Sequence, residues 1–258
     1  MEKEQDNKKK KRILLVILGI ILLFFGAIYC GYYAYLRYEA AHQETPTQYV
    51  TEEASVEDGV KNPVNFKKLQ KQNSDVYAWL KVPGTKVNHP IVQSPVDDSF
   101  YLKHSAEDKS WVANGAVYTE RCNTKTFNDR VTVIYGHNGY SDTMFTTLHR
   151  FEEESFFKEH KRFVIYTPDS KLTYRIISAF KYDDRHIINS FDFEDLGVYA
   201  GFLGMIENPQ TTNKNVATDF GRQLTIDDKV VVLSTCITHQ PSSRYLVCGV
   251  LVKNEKTY

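Results

Sequence analysis

The sequence shows no surplus of charge of either sign. Its 258 residues include 32 lysines and arginines and 32 aspartates and glutamates, so the formal net charge is zero. Nucleic-acid-binding domains normally carry a basic surplus, and the balance therefore disfavours such a partner. Apolar residues make up 42% of the chain and charged residues 25%, which is typical of a chain that folds.

Motifs for metal ions and phosphate groups are missing as well. The chain contains no H-E-x-x-H and no paired C-x-x-C sequence, which are common spacings of zinc ligands. Gly197, Gly201 and Gly204 lie within a helical pattern and precede no phosphate-binding sequence. Four isolated histidines are interpreted as surface residues: His149, His160, His186 and His239. We therefore predict no metal ion and no cofactor.

Cysteine is scarce, and its count is informative. Of the four cysteines, Cys30 lies in an apolar N-terminal segment, which leaves Cys122, Cys236 and Cys248 in the rest of the chain. A disulfide framework usually uses an even number of cysteines. At least one of these three thiols is therefore expected to be free or paired elsewhere, and a free thiol is a candidate reactive group.

Residues 13–36 contain no charged side chain and follow a basic run at 8–12. As a helix this segment would span about 36 Å, enough for a hydrocarbon core of about 30 Å. Positive flanks stay on the cytoplasmic side. We predict an uncleaved single-pass anchor in the cell membrane, with the N-terminus inside and the rest outside. The alternative is a cleaved signal peptide, whose apolar region is usually shorter.

Composition divides the chain into four parts. We predict a cytoplasmic basic tail at 1–12, a transmembrane anchor at 13–36, a polar extracellular stalk at 37–61 and one folded domain at 62–258. The domain contains many aromatic residues, 17 tyrosines and 15 phenylalanines in the whole chain, together with β-branched runs.

Short strands dominate the folded part. Apolar or β-branched runs predict strands on both sides of Pro83-Gly84, at 116–120, at 130–137, in a hairpin around Pro168-Asp169, and at 229–236 and 244–252. Helical patterns occupy 65–74, 143–160 and 190–208. Many short strands with few helices predict a mainly β fold, closed or nearly closed into a barrel.

Three strand ends carry chemically reactive side chains. Cys236 ends the strand VVLSTC, where the chain turns polar, whereas Cys248 lies mid-strand and reads as a buried structural thiol. His137 ends the strand VIYGH, and Arg244 opens the strand after Cys236. A histidine can activate a thiol and then protonate a leaving amine, and a guanidinium can stabilise an oxyanion.

The residues around these three are candidates for substrate contact. Ser234, Thr235 and Tyr135 flank the predicted chemistry. From the sequence they either line a substrate groove or face the core as ordinary strand residues, and both interpretations stay open.

These motifs, taken in order, resemble those of the sortase family over about residues 62–258. L-S-T-C at 233–236 is similar to the family's TLXTC, with Val232 in place of the leading threonine. Tyr-Gly-His at 135–137 is similar to its histidine segment, and Arg244 occupies the place of its arginine. The resemblance implies an eight-stranded β-barrel, a catalytic Cys236, His137 and Arg244, and helices before the barrel and before the Cys-bearing strand that are similar to class B.

The resemblance also implies an activity and partners. A cysteine transpeptidase of this family in a Gram-positive bacterium cleaves an LPXTG-like sorting signal between Thr and Gly through a thioester. It then transfers the protein to a cell-wall amine, such as one from a peptidoglycan precursor or cross-bridge.

Two other functions are compatible with the same residues. One is an extracellular cysteine hydrolase that uses water as the acceptor, and the other is a non-catalytic, membrane-anchored binding module. A papain-like enzyme is disfavoured, because its cysteine precedes its histidine and no C-G-x-C-W pattern occurs here.

Overall fold

The fold is a β-barrel with helices on its outside, preceded by one long N-terminal helix. A computed structural model describes residues 2–43, 46–51, 55–56, 59–139 and 142–258. The α-helices are α1 Glu2–His42, α2 Phe66–Gln72, α3 Glu154–Glu159, α4 Ile187–Ser190 and α5 Leu196–Glu207. The strands are β1 Ser55–Val56, β2 Gly59–Val60, β3 Val76–Lys81, β4 Asn88–Val92, β5 Val117–Tyr118, β6 Val131–Tyr135, β7 Arg162–Tyr166, β8 Ser170–Asp183, β9 Lys214–Val216, β10 Val230–Ile237 and β11 Gln240–Lys256.

Eight strands close into the barrel that the sequence predicts. Neighbouring strands follow the order β11-β10-β6-β5-β4-β3-β7-β8, and an antiparallel pairing of β11 with β8 joins the two ends. The short strand β9 adds to β8 outside this ring. Most neighbours are antiparallel, but β10 pairs with β6, and β4 with β5, in parallel. Closure leaves no free sheet edge within the ring, which removes the unpaired backbone groups that an open sheet exposes.

Both faces of β10 are buried, and this holds its end in place. Val231 and Leu233 belong to the barrel interior, whereas Val230 and Val232 pack in a second cluster with α5. From α5 this cluster receives four buried side chains: Tyr199, Phe202, Leu203 and Ile206. Fully burying such side chains stabilises a fold by about 1.5–3 kcal/mol each. The packing of α5 therefore stabilises the position of β10 on its outer face.

The predicted helices are found with shorter boundaries. The pattern at 65–74 corresponds to α2, where the Asn65 side chain caps the helix by accepting from the backbone N–H of Lys68. The pattern at 190–208 contains α5, which Asp195 caps in the same way, whereas the short helix α4 ends at Ser190, where the pattern begins. At 143–160 the chain forms a 3₁₀ segment, Thr146–Glu152, followed by α3.

The apolar N-terminal segment lies within α1, which extends beyond the predicted span to His42. By length and composition α1 can cross a membrane. Near its end, the carbonyl of Ala40 accepts from the Asn114 side chain at 2.8 Å, and Gln43 donates to the carbonyl of Gly115 at 2.9 Å. Of the predicted stalk, residues 44–45, 52–54 and 57–58 lie outside the described residues. Within its described part, β1 pairs with β2.

One buried histidine makes the stability of the fold depend on pH. His89 of β4 is 7% exposed, and its Nε2 atom has no hydrogen-bond partner within the part of the chain that the structure describes. Burial lowers its pKa from 6.5 to about 4. The unfolded chain therefore takes up this proton first as the pH falls. We expect the free energy of unfolding to fall by up to about 3 kcal/mol between pH 6.5 and 4 on account of this residue.

His89→Leu should flatten this slope, as measured by urea unfolding of the chain in detergent micelles at several pH values. His239→Asn, which removes an exposed histidine, serves as the control and should keep the slope of the parent. An unchanged slope in His89→Leu would show that other groups cause the acid sensitivity.

Candidate active site

The six residues singled out in the sequence line one cavity of about 290 Å³. It lies where β6 and β10 end and β11 begins. The residues are Cys236, His137, Arg244, Ser234, Thr235 and Tyr135.

Strand register brings Cys236 and Arg244 together. β10 and β11 pair in antiparallel register with Cys236 opposite Arg244, and the register shifts directly after Cys236. Cys236 is exposed, whereas Thr235 beside it is buried. The thiol therefore stands at the accessible end of a strand that is otherwise buried on both faces.

His137 reaches the same place through the parallel pairing of β6 with β10. Tyr135 lies opposite Ser234, and the N–H of Gly136 donates to the carbonyl of Ser234 at 3.2 Å. The ladder thus carries His137 to the end of β10 beside Cys236. Its Nε2 atom lies 2.9 Å from the carbonyl of Leu102. Since a carbonyl only accepts, Nε2 carries the proton and Nδ1 is the free nitrogen of the neutral ring.

The environment of His137 favours its neutral form. Burial is the main cause that lowers its pKa, the positive charge of Lys103 lowers it further, and the bond to Leu102 opposes both. Among the described residues no hydrogen bond joins the His137 ring to the sulfur of Cys236. Hydrogen bonds between catalytic groups are often long in a free enzyme and tighten only when substrate binds.

Arg244 is oriented by its own turn. Its Nη1 atom donates to the carbonyls of Pro241 and Ser243 at 2.9 and 3.0 Å. A guanidinium has five N–H donors, so three remain without a protein acceptor among the described residues. These donors are available to a ligand in the cavity.

Ser234, Thr235 and Tyr135 are both strand residues and part of the cavity wall, so the two interpretations left open by the sequence apply together. Ser234 and Thr235 are buried strand residues, and they also line the cavity. The hydroxyls of Thr235 and Tyr135 are buried and have no hydrogen-bond partner among the described residues. The Tyr135 ring stacks on Tyr118, with centroids 5.4 Å apart, and burial raises the pKa of Tyr135.

Two residues that sequence reasoning missed hold the backbone at Cys236. The side chains of Asn138 and His149 lie 3.1 and 3.0 Å from the carbonyl of Cys236. His149 also pairs with Glu152 at 2.6 Å and stacks on Tyr245. It is therefore half-buried in the site, not the surface residue that the sequence suggested. Only the position of Asn138 next to His137 offered a signal, because His149 is 87 positions from Cys236.

A second histidine that the sequence suggested to be a surface residue lines the cavity. His186 and Glu120 line it and are joined by a short hydrogen bond from Nε2 to Oε2. The thiol of Cys122 lies 3.8 Å from the same Oε2 atom.

These three residues form the one His/Cys/Asp/Glu group, in the part of the chain that the structure describes, whose ligand atoms are close enough for a metal ion. The atoms lie within 4.8 Å of one another. However, Nδ1 of His186 accepts the N–H of Asn189 at 3.1 Å, so in the neutral ring Nε2 carries the proton. A histidine that ligates a metal normally donates its other N–H. The group therefore fits a hydrogen-bonded chain better than a metal centre.

Comparisons with known proteins agree with the barrel fold. The model of the sortase domain matches residues 80–252. Sortase B of Listeria monocytogenes is 29% identical over 192 residues, covering 71% of this chain and 72% of that protein. A Staphylococcus aureus sortase B–substrate complex is 25% identical with a TM-score of 0.63, covering 73% of this chain and 84% of that one. A Streptococcus pyogenes class B sortase involved in pilus biogenesis is 32% identical with a TM-score of 0.62, covering 73% and 98%.

A strand-end thiol in this barrel, with relatives of this kind, defines a cysteine transpeptidase. The chain belongs to the sortase family, and its relatives and structural neighbours are of class B. Class B sortases are cell-wall transpeptidases.

Gly136, the residue before His137, packs too closely against Phe145 to carry a side chain. A Cβ atom on Gly136 would lie 2.6 Å from the buried ring of Phe145, and the N–H of Phe145 donates to the carbonyl of His137. We expect Gly136→Ala to lower the free energy of unfolding by about 1–3 kcal/mol, because the ring has no space to move into. Thermal unfolding in detergent micelles measures the loss.

Gly201→Ala provides the matched control. A Cβ at Gly201 on α5 meets nothing within 4 Å, and alanine is the better helix former. This variant should be as stable as the parent or slightly more so. Equal stability of the two variants would contradict the close packing of Gly136 against Phe145.

Proposed function

We propose that this chain is a cell-surface transpeptidase that cleaves an LPXTG-like sorting signal between Thr and Gly and transfers the protein to a cell-wall amine. The observation that carries the proposal is the meeting of Cys236, His137 and Arg244 around one cavity at the strand ends. Membership of a family of cell-wall transpeptidases supports it.

In the first step the sulfur of Cys236 attacks the carbonyl carbon of the scissile bond. A C–S bond forms, the C–N bond breaks, and the leaving amine takes a proton from His137. The free Nδ1 atom of His137 is the nitrogen suited to exchange this proton, since Nε2 is held by Leu102. A lowered pKa makes the imidazolium, once formed by taking the thiol proton, a stronger acid toward the leaving group.

In the second step an amine attacks the thioester. The C–N bond of the new amide forms, the C–S bond breaks, and His137 passes the amine proton to the departing sulfur. If water enters instead of the amine, the same step is hydrolysis. The acceptor therefore decides between a transpeptidase and a hydrolase.

Arg244 is assigned to the oxyanion that develops in both steps. Its position opposite Cys236 and its three free donors support this role. Donors that are already oriented stabilise developing charge without rearranging during the reaction. Ser234, Thr235 and Tyr135 are proposed to contact the sorting signal along the cavity wall.

The proposed location follows from α1. An uncleaved single-pass helix, with the basic residues inside, would hold the catalytic domain outside the membrane of a Gram-positive cell. There the domain would meet both secreted proteins that carry a sorting signal and the cell-wall amine. The apolar length of α1 supports this arrangement.

Cys236→Ala should abolish both cleavage of a fluorescent sorting-signal peptide and its transfer to an added amine. Product analysis by mass spectrometry, with and without the amine, separates transfer from hydrolysis. Cys30→Ala removes the exposed thiol of α1 and should behave as the parent. Turnover in Cys236→Ala would remove the nucleophile assignment, and hydrolysis alone in the parent would favour the hydrolase.

Arg244→Lys should lower kcat/KM for peptide cleavage by about 10²-fold, because lysine keeps the charge but lacks the planar set of donors. Arg130→Lys is the matched control, since Arg130 pairs with the exposed Glu194 away from the cavity. Circular dichroism checks the fold of both variants. Full activity in Arg244→Lys would show that charge alone suffices at this position.

A further inference from the structure

Glu120 places a half-buried carboxylate in the wall of the cavity that holds Cys236. Its side chain is 18% exposed and follows β5, whose Tyr118 pairs with Tyr135 of β6. Neither the steps assigned to Cys236 and His137 nor the oxyanion contact assigned to Arg244 uses this group. A carboxylate that has lost much of its water is normally compensated by a positive partner.

The partners of Glu120 orient it without neutralising it. Both the N–H of His186 and the thiol of Cys122 are directed to its Oε2 atom. His186 donates to this atom through Nε2, because its Nδ1 accepts the N–H of Asn189. Burial and then the charge of Glu120 raise the pKa of Cys122 to about 11, so this thiol stays neutral. Neither partner is a lysine or an arginine, so neither offsets the carboxylate with a permanent positive charge.

The Oε1 atom of Glu120 is left free. It has no protein partner among the described residues, it is not fully buried, and Glu120 lines the cavity. Nearby carboxylates differ in this respect. Asp183 pairs with Arg185, and Asp98 lies outside the cavity lining and pairs with Arg121.

The other charged groups that line the cavity do not cancel this charge. Arg244 makes no ion pair with Glu120 among the described residues and bonds instead to the carbonyls of its own turn. Asp184 adds a second negative charge but is exposed, so water screens it more strongly. The side of the cavity formed by Glu120 is therefore suited to a cation.

We propose that the Glu120 carboxylate binds the protonated form of the acceptor, a primary ammonium group, in the same cavity as the thioester. The inference rests on the proposed transpeptidation and adds the residue that recognises its second substrate. An ammonium donates through three N–H groups, and Oε1 accepts one of them. Binding the acceptor next to the acyl group also raises its local concentration relative to that of a molecule in bulk solution.

The proton balance of the transfer is consistent with this role. The bound ammonium releases one proton to solvent and becomes the free amine. Its nitrogen attacks the thioester carbon, forming the C–N bond as the C–S bond breaks. The second proton passes through His137 to the sulfur of Cys236, and the third stays on the amide nitrogen. Glu120 itself is unchanged at the end of the cycle.

Two nucleophiles of different charge test the proposal with the full chain in detergent micelles at pH 7.0. Glycinamide carries an α-amino group that is mostly protonated at this pH, whereas hydroxylamine is mostly neutral. Glu120→Gln keeps the shape of the side chain and removes the charge. We expect the KM for glycinamide to rise about tenfold and the KM for hydroxylamine to change less than about twofold.

Asp98→Asn is the matched control, because it removes one negative charge nearby but outside the cavity lining. It should leave the ratio of the two KM values as in the parent. Equal changes for both nucleophiles in Glu120→Gln, or no change for either, would overturn the assignment of Glu120.

The parent enzyme provides a second measurement that does not depend on a variant. Raising NaCl from 0.05 to 0.5 M should increase the KM for glycinamide and leave that for hydroxylamine nearly constant, since salt screens a charge–charge contact. A KM for glycinamide that does not respond to salt counts against the proposal. A parent that forms no adduct with either nucleophile overturns the transpeptidase function itself, and the role of Glu120 falls with it.

Discussion

The parallel pairing of β10 with β6 is the constraint on which the site depends. Parallel strands end at the same edge of a sheet, so the pairing of Ser234 with Tyr135 carries Cys236 and His137 to one place. The antiparallel return of β11 then sets Arg244 opposite Cys236. A shift of one residue in either register would turn the side chains of the shifted strand to the other face of the barrel wall. The burial of both faces of β10 holds these registers.

Hydrogen bonds from neighbouring residues position the groups at these strand ends. Asn138 and His149 both contact the carbonyl of Cys236, so two side chains hold the backbone that carries the thiol. The carbonyl of Leu102 assigns the proton of His137 to Nε2 and leaves Nδ1 for exchange. These contacts fix the backbone of Cys236 and the ring of His137, while the Cys236 thiol stays exposed.

The cavity lining carries side chains of both charges, as the proposed two-step transfer reaction would use them. Arg244 provides positive charge opposite Cys236, where we propose that an oxyanion develops. Glu120 provides a carboxylate in the wall of the same cavity, held there by the Nε2–H of His186 and the thiol of Cys122. Among the described residues Arg244 and Glu120 form no ion pair, which agrees with the proposal that one cavity serves both an acyl group and a cationic amine.

What the sequence alone determined were the local patterns: the apolar helix, the strands that end in Cys236 and His137, the barrel class and the helix before β10. These follow from the spacing of apolar residues and from strand ends, which are local properties of the chain. The tertiary structure alone decided that His149 meets Cys236 and that His186 meets Glu120, across 87 and 66 positions. Such contacts depend on barrel closure and on strand register, and an isolated histidine in a sequence carries no sign of either.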